Sequence, residues 1–183
     1  MEHRRYEEYA YIIDVLYNSR SQTVKDREGV IIQAIGENNL TLLELLGFPK
    51  MEFNIGERLY IGKEYRTKVI SVLGRLDYNM LTASAKDELH NVIENIIKNN
   101  EKRFIEYIND ARPITPRIHS LELIPGIGKT YLMQIINERE KKRFDSFDDL
   151  QKRTGVRDIV KRISERIYEE VSGSAKMNIF VRR

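Results

Sequence analysis

The 183-residue chain has no cysteine, only three histidines and no long apolar run. Without cysteine there can be no disulfide and no thiolate metal site. His3, His90 and His119 stand far apart, and no pair has the spacing of metal ligands, so no metal site is assigned. No stretch approaches the roughly 20 apolar residues that cross a bilayer. Met1-Glu2-His3-Arg4-Arg5 is not followed by the apolar core of a signal peptide. These absences lead to the expectation of a cytoplasmic protein without a membrane partner. No nucleophile sits in a recognisable elbow. No residue is therefore assigned as catalytic, and an enzyme is not expected.

A large excess of charge is lacking too: the net charge is +3. Its distribution is more telling. Residues 1–83 hold 11 Lys and Arg against 12 Asp and Glu, and residues 84–112 hold 5 against 6. Residues 113–183 hold 15 against 10, so all the excess positive charge lies in the last third. A basic module joined to near-neutral ones suggests a polyanionic partner. Hydrophobic residues make up 41% of the chain and charged residues 32%, a globular composition with enough apolar side chains for a core.

The first 83 residues read as β structure. Tyr9–Leu16, Gly29–Ile35, Leu40–Leu46, Asn54–Ile61 and Thr67–Leu76 are short segments bounded by Gly, Asn or charged residues. The leucine-rich third segment also suits a helix. Five short strands suggest a small closed barrel of the OB or SH3 kind, in which closure removes exposed edges. Helix is expected from Ser84, with Asp87 completing a capping box. Leu89, Val92, Ile93, Ile96 and Ile97 then share one face. Asn99-Asn100 breaks the pattern, Phe104, Ile105 and Ile108 continue it, and Arg112-Pro113 ends it.

The last third reads as helical. Thr115-Pro116 is expected to open a short helix with Ile118, Leu121 and Ile124 facing inward. A second helix starts near Lys129, with Leu132, Ile135, Ile136 and Arg139 along one side. Ser146 and Asp149 form a capping box for a third, which buries Phe147 and Leu150. After Gly155, the residues Ile159, Val160, Ile163, Ile167 and Val171 define the last helix, which ends at Ser172-Gly173. Met177, Ile179 and Val181 alternate ahead of Arg182-Arg183, which suggests a short strand returning to the barrel edge.

Between two of these segments stands Ile124-Pro125-Gly126-Ile127-Gly128-Lys129-Thr130. Gly128-Lys129-Thr130 matches the end of a P-loop, but the motif needs a glycine at position 123, where Leu123 stands. A tight turn between helices fits better. Its glycines allow φ > 0 and a close approach. The unpaired N–H groups at the start of the next helix favour an anion. Lys129 adds a cation there, while Ile124 and Ile127 can anchor the turn in the core.

This stretch resembles the helix-hairpin-helix family, in particular the tandem domains of bacterial competence DNA receptors. The likeness covers about residues 115–171. It rests on Pro125-Gly126-Ile127-Gly128, Ile135-Ile136, Arg139, Phe144-Asp145-Ser146, Asp149-Leu150 and Gly155-Val156. The resemblance implies phosphate contact by Pro125, Gly126, Ile127, Gly128, Lys129 and Thr130, and in some members a monovalent cation on the hairpin carbonyls. No other cofactor is implied. In the second copy, Arg157 and Asp158 stand where Gly128 and Lys129 stand in the first. A carboxylate there repels phosphate, so the second copy reads mainly as structural, with Arg157 still able to reach a phosphate. The whole chain resembles an archaeal family of predicted RNA-binding proteins, which implies a barrel at the front and leans the ligand towards RNA over DNA.

The expected architecture is therefore α+β in two domains. A small barrel spans 1–83, connecting helices 84–112 and a tandem helix-hairpin-helix domain 113–173, with a basic tail at 174–183. Its expected function is non-sequence-specific binding of the nucleic-acid backbone. A protein-interaction or assembly module on the same scaffold is the alternative. In the barrel, Arg58, Tyr60, Lys63, Tyr65, Arg66 and Lys68 place aromatics among cations, the composition of a surface that stacks single-stranded bases. The same tyrosines would also suit half-buried barrel positions.

Overall fold

The structure, a computed structural model, describes residues 6–183. The described residues are α+β, with five strands followed by five α-helices. Strands β1 (Tyr9–Arg20), β2 (Glu28–Gly36), β3 (Leu42–Gly47), β4 (Arg58–Tyr60) and β5 (Val69–Arg75) form one antiparallel sheet in the order β4-β1-β2-β3-β5. Helices α1 (Ala83–Asn99), α2 (Glu101–Asp110), α3 (Lys129–Lys141), α4 (Phe147–Thr154) and α5 (Ile159–Ser172) follow. The chain divides into two compact units, Met1–Val92 with Tyr168–Arg183, and Ile93–Ile167. No described helix is long and apolar enough to cross a membrane.

The sheet of the first unit curls because β1 breaks register with β2 between Ile12 and Asp14 and again between Leu16 and Ser19. β5 does the same against β3. Such irregularities bend a strand and raise its twist. Ala10, Ile12, Ile32, Ala34, Leu45, Leu59 and Val69 pack together on one face. β3 is a strand despite its leucines, because all six of its residues are buried. Glu44, fully buried in its middle, accepts from Ser21 Oγ, from Gln22 N at 2.9 Å and from Thr23 Oγ1 at 2.7 Å.

Closure of the barrel is not found among the described residues. β4 and β5 are the two edges, and no ladder joins them. The side chain of Arg66 ties the edges instead. It donates to the carbonyls of Ile61 (3.0 Å) and Gly62 (2.9 Å), just after β4, and to Ile70 in β5 (3.2 Å).

Two further sequence expectations need correction. α1 is capped by Thr82, not Ser84: Thr82 Oγ1 accepts from Ala85 N at 3.0 Å and donates to Asp14 at 2.5 Å. The tail carries no strand, since the N–H groups of Ile179, Phe180 and Val181 all turn onto one Glu170 oxygen, at 2.9–3.0 Å. Arg182 N then donates to Asn39 O at 3.0 Å, which brings the tail back to the turn before β3.

In the second unit, α2 and the segment before α4 are joined by one amide. Asn109 donates to Phe144 O (3.0 Å) and accepts from Phe144 N (2.8 Å), as a paired strand would. α4 starts where expected, with Ser146 Oγ accepting from Asp149 N at 3.0 Å. The cation that completes the end of α3 is Arg153 of α4, which donates to the carbonyls of Glu138 and Lys142, each at 2.6 Å. Lys141 and Arg143 pair with Glu138 and Asp110.

Glu170 is 1% exposed and its charge is balanced by tail amides. Removing residues 174–183 strips that carboxylate of three charge-assisted hydrogen bonds. We predict a loss of about 3 kcal/mol in the first unit, read by denaturant unfolding. An unchanged midpoint would mean that the tail lies on the unit without stabilising it.

Candidate nucleic-acid interface

The turn at Pro125-Gly128 is held by its isoleucines. Ile124 and Ile127 are 1% and 3% exposed, and Ile127 N donates to Ile124 O at 3.0 Å. Gly126 makes the corner at φ +82, a conformation that side chains rarely adopt. A Cβ at Gly126 would also collide with the Arg162 guanidinium.

Gly128 differs. Its φ of −90 and ψ of −169 are ordinary extended backbone, and a Cβ there would meet nothing within 4 Å. Neither conformation nor internal packing requires glycine at this position. Its bareness leaves open the approach to α3, which starts at Lys129 with no side-chain cap. Lys129 and Thr130 are both exposed. The surface therefore combines a bare backbone, the positive end of a helix and a cation.

That cation already has a partner. Lys129 Nζ lies 2.6 Å from Glu122 and donates to Arg117 O at 3.2 Å. Lys129 and the His119 N–H together hold the Glu122 carboxyl below its ordinary range. Glu122 belongs to a 3-10 turn, Ser120–Leu123, which stands where an α-helix was expected. The helix does not form because Thr115 Oγ1 takes the N–H groups of Arg117 (3.2 Å) and Ile118 (3.0 Å), and Pro113 bridges to His119. Ile118 is consequently 44% exposed, whereas Leu121 and Ile124 face inward as expected.

His119 caps the 3-10 turn. It is 6% exposed, and its Nδ1 accepts from Leu121 N at 3.1 Å, which requires neutral imidazole with the proton on Nε2. Burial, reinforced by the nearby Arg139 cation, pushes its pKa down.

The second turn follows the first and then departs from it. Gly155 has φ +78 and Val156 is fully buried, matching Gly126 and Ile127. Arg157 is exposed. Asp158 then adds a left-handed residue at φ +53, so α5 starts one residue later relative to its glycine than α3 does. Ile159 N donates to Gln151 Oε1 at 3.1 Å, so this helix start is satisfied internally.

Arg162, on α5, reaches both turns. Its Nε donates to Arg157 O at 2.7 Å and its Nη1 to Pro125 O at 3.4 Å. One helical turn on, the buried Arg166 reaches Leu123 O at 3.5 Å. Sequence reasoning missed both arginines. The available signal was their i, i+4 spacing beside the Ile159-Ile163-Ile167 stripe.

The candidates in the first unit differ in how far other groups hold them. Arg58 makes two bonds to Glu37, at 2.8 and 2.9 Å, and lies 3.5 Å over the Tyr9 ring. Lys68 pairs with Glu57 at 2.6 Å, and Arg66 is spent on carbonyls as described. Tyr60 packs between Tyr9 and Tyr65, with centroids 5.4 and 5.8 Å away. Lys63 and Tyr65 remain exposed. Among the described residues, no group of three or more His, Cys, Asp or Glu is placed to hold a metal ion.

Comparison with known proteins places this arrangement in a family. Residues 6–182 match the family described as "Protein of unknown function (DUF655)", and the chain belongs to it. It is 38% identical over 173 residues to "Uncharacterized protein MJ0038" of Methanocaldococcus jannaschii, spanning 94% of this chain and 78% of that protein. It also resembles the crystal structure of Af1531 from Archaeoglobus fulgidus, a member of the same family. There the TM-score is 0.85 and the identity 38%, with 96% of this chain and all of that one covered.

Two predictions test the local geometry. Gly126→Val should destabilise the second unit by roughly 2 kcal/mol through backbone strain and displacement of Arg162, whereas Gly128→Val should cost no more than about 1 kcal/mol. Thermal melts of the two variants decide this, and equal losses would contradict it.

His119 has its folded pKa below the ordinary 6.5. Its contribution to stability is complete above that pH and is lost as the pH falls from there through the folded pKa. The melting temperature of the wild type should drop in this window, and that of His119→Asn, which keeps a capping oxygen, should not. Identical profiles would remove His119 as the cause.

Proposed function

We propose that the second unit grips the backbone of a nucleic acid, RNA in preference to DNA, through the turn Pro125-Gly128 and the start of α3, without reading sequence. In this reading residues 113–173 form a tandem helix-hairpin-helix domain, and the curled sheet is an opened barrel of the OB or SH3 kind. The preference for RNA rests on the whole-chain resemblance. The grip rests on Gly128, a glycine that neither conformation nor packing demands, ahead of a helix start with no side-chain cap. A phosphate oxygen can approach those N–H groups only where no side chain shields them. Lys129 stands beside it, and the excess positive charge of the chain lies in the same third.

Glu122 competes with phosphate for Lys129, because the two side chains are already paired at 2.6 Å. Ligand binding must draw the ammonium away from that carboxylate or share it. Glu122 therefore tunes the grip downward, a role that sequence reasoning did not assign.

Affinity measured over a range of salt tests the reading. Gly128→Val should weaken single- and double-stranded ligands by a similar factor, roughly ten-fold, because it blocks a backbone contact common to both. Lys129→Ala should cost about 1 kcal/mol and lower the salt slope by about one unit. Glu122→Gln keeps an oxygen for the His119 N–H, and should tighten binding and steepen the slope. Unchanged affinity in a folded Gly128→Val protein would rule out the turn as the phosphate site. Affinity that ignores salt would favour the protein-contact alternative.

A further inference from the structure

Where the sheet fails to close, the first unit has a cleft of about 730 Å³, large enough for a nucleotide. Leu43, Ile61 and Val72 supply its apolar lining, and Tyr6 and Tyr60 its aromatic lining. Tyr60 belongs to a run of rings. Tyr9 meets it edge-on at 5.4 Å, and Tyr65 lies 5.8 Å away on its other side. Tyr6, in the lining, is 79% exposed, and Tyr65, which flanks the lining residue Tyr60 from just outside the cleft, is 72% exposed, so aromatic surface at the cleft and its rim faces solvent.

Charge decides what such a cleft can hold. Its lining carries three cations, Lys63, Arg66 and Arg75, against three carboxylates, Glu7, Glu8 and Glu64. A lining balanced in this way has no net pull on phosphate. It suits a planar, uncharged group that stacks on rings and covers apolar surface. An extended peptide adding to the open sheet fits less well. β4 is three residues long, and Arg66 occupies the carbonyls of Ile61, Gly62 and Ile70 that a new strand would need at the two edges.

We infer that this cleft receives an unpaired base of a single-stranded nucleic acid, stacked on the aromatic lining of Tyr6 and Tyr60, with Tyr65 at the rim. The inference rests on the proposed function and adds a substrate class to it: the ligand has single-stranded segments. The contact is by stacking, so it is tolerant of sequence, and with a charge-balanced lining it neutralises no phosphate and adds nothing to the salt slope. The contact at Gly128 and Lys129 is the opposite, salt-dependent and common to single and double strands. The two contributions therefore separate by experiment.

The test is a titration of the full chain with 12-mer oligo(U), 12-mer oligo(dT) and a 12-base-pair duplex at several salt concentrations. The wild type, a Tyr6→Ala/Tyr65→Ala double variant and Lys129→Ala are compared. Both tyrosines are exposed, and circular dichroism and melting are to check that the double variant folds. We expect the double variant to lose roughly ten-fold on both single strands, with the salt slope unchanged and the duplex unaffected. Lys129→Ala should lower the slope on all three ligands. Unchanged single-strand affinity in the double variant, or an equal loss on the duplex, overturns the cleft while leaving the turn standing. A wild type that binds none of the three overturns the proposed function and this inference together. An unfolded polypeptide bound by the wild type and released by the double variant, with no effect on oligonucleotides, would assign the cleft to strand addition instead.

Discussion

The guanidinium of Arg162 lies against Gly126 and ties the two glycine turns to each other through one carbonyl in each. A planar, permanently charged group with five donors can satisfy carbonyls on two segments at once. Here it bonds Pro125 O in the first turn and Arg157 O in the second. Gly126 needs to be glycine for its φ of +82, and the Arg162 guanidinium fills the space beside its α-carbon. Gly128, two residues on, has neither feature. The same short motif thus contains one glycine that serves the fold and one that serves the outer surface. The proposed grip is built on this difference.

Charge is placed with similar economy. In the first unit three cations beside the sheet are committed: Arg58 to Glu37, Lys68 to Glu57 and Arg66 to three carbonyls. Lys129 in the second unit is held by the Glu122 carboxylate and the Arg117 carbonyl, on an exposed surface where a phosphate can compete. The proposed backbone contact thus lies in the second unit and the proposed base stacking in the first. The two modes have different salt dependence and different preferences for strandedness.

The strands and helices were legible wherever their apolar spacing was regular. The stripe Leu89, Val92, Ile93, Ile96 and Ile97 is buried throughout, and all five strands appear near their expected places. β3 was ambiguous because four of its six residues are leucine, and what settles it is burial of the whole segment. The segment 113–119 misled, since Pro116 suits the first turn of a helix. The Thr115 hydroxyl instead closes a local turn, a competition between side chain and backbone that sequence spacing does not resolve. The roles of Arg162 and Glu170 were harder to read, because each satisfies backbone groups outside its own helix, Arg162 at a carbonyl 37 residues away and Glu170 at amides 9 to 11 residues on. The open edge of the sheet was hidden in the same way, because only the fold reveals that β4 and β5 do not meet.

The central claim concerns the backbone N–H groups at the start of α3, and these can be observed one by one. A two-dimensional ¹⁵N–¹H spectrum of the full chain, titrated with a short oligonucleotide at low salt, reports each of them separately. The account predicts that the largest shifts fall on Gly128, Lys129 and Thr130, that added salt reverses them, and that Ile159 at the start of α5 moves little because Gln151 already holds it. Shifts spread over exposed lysines and arginines, with Gly128 to Thr130 unmoved, would contradict it.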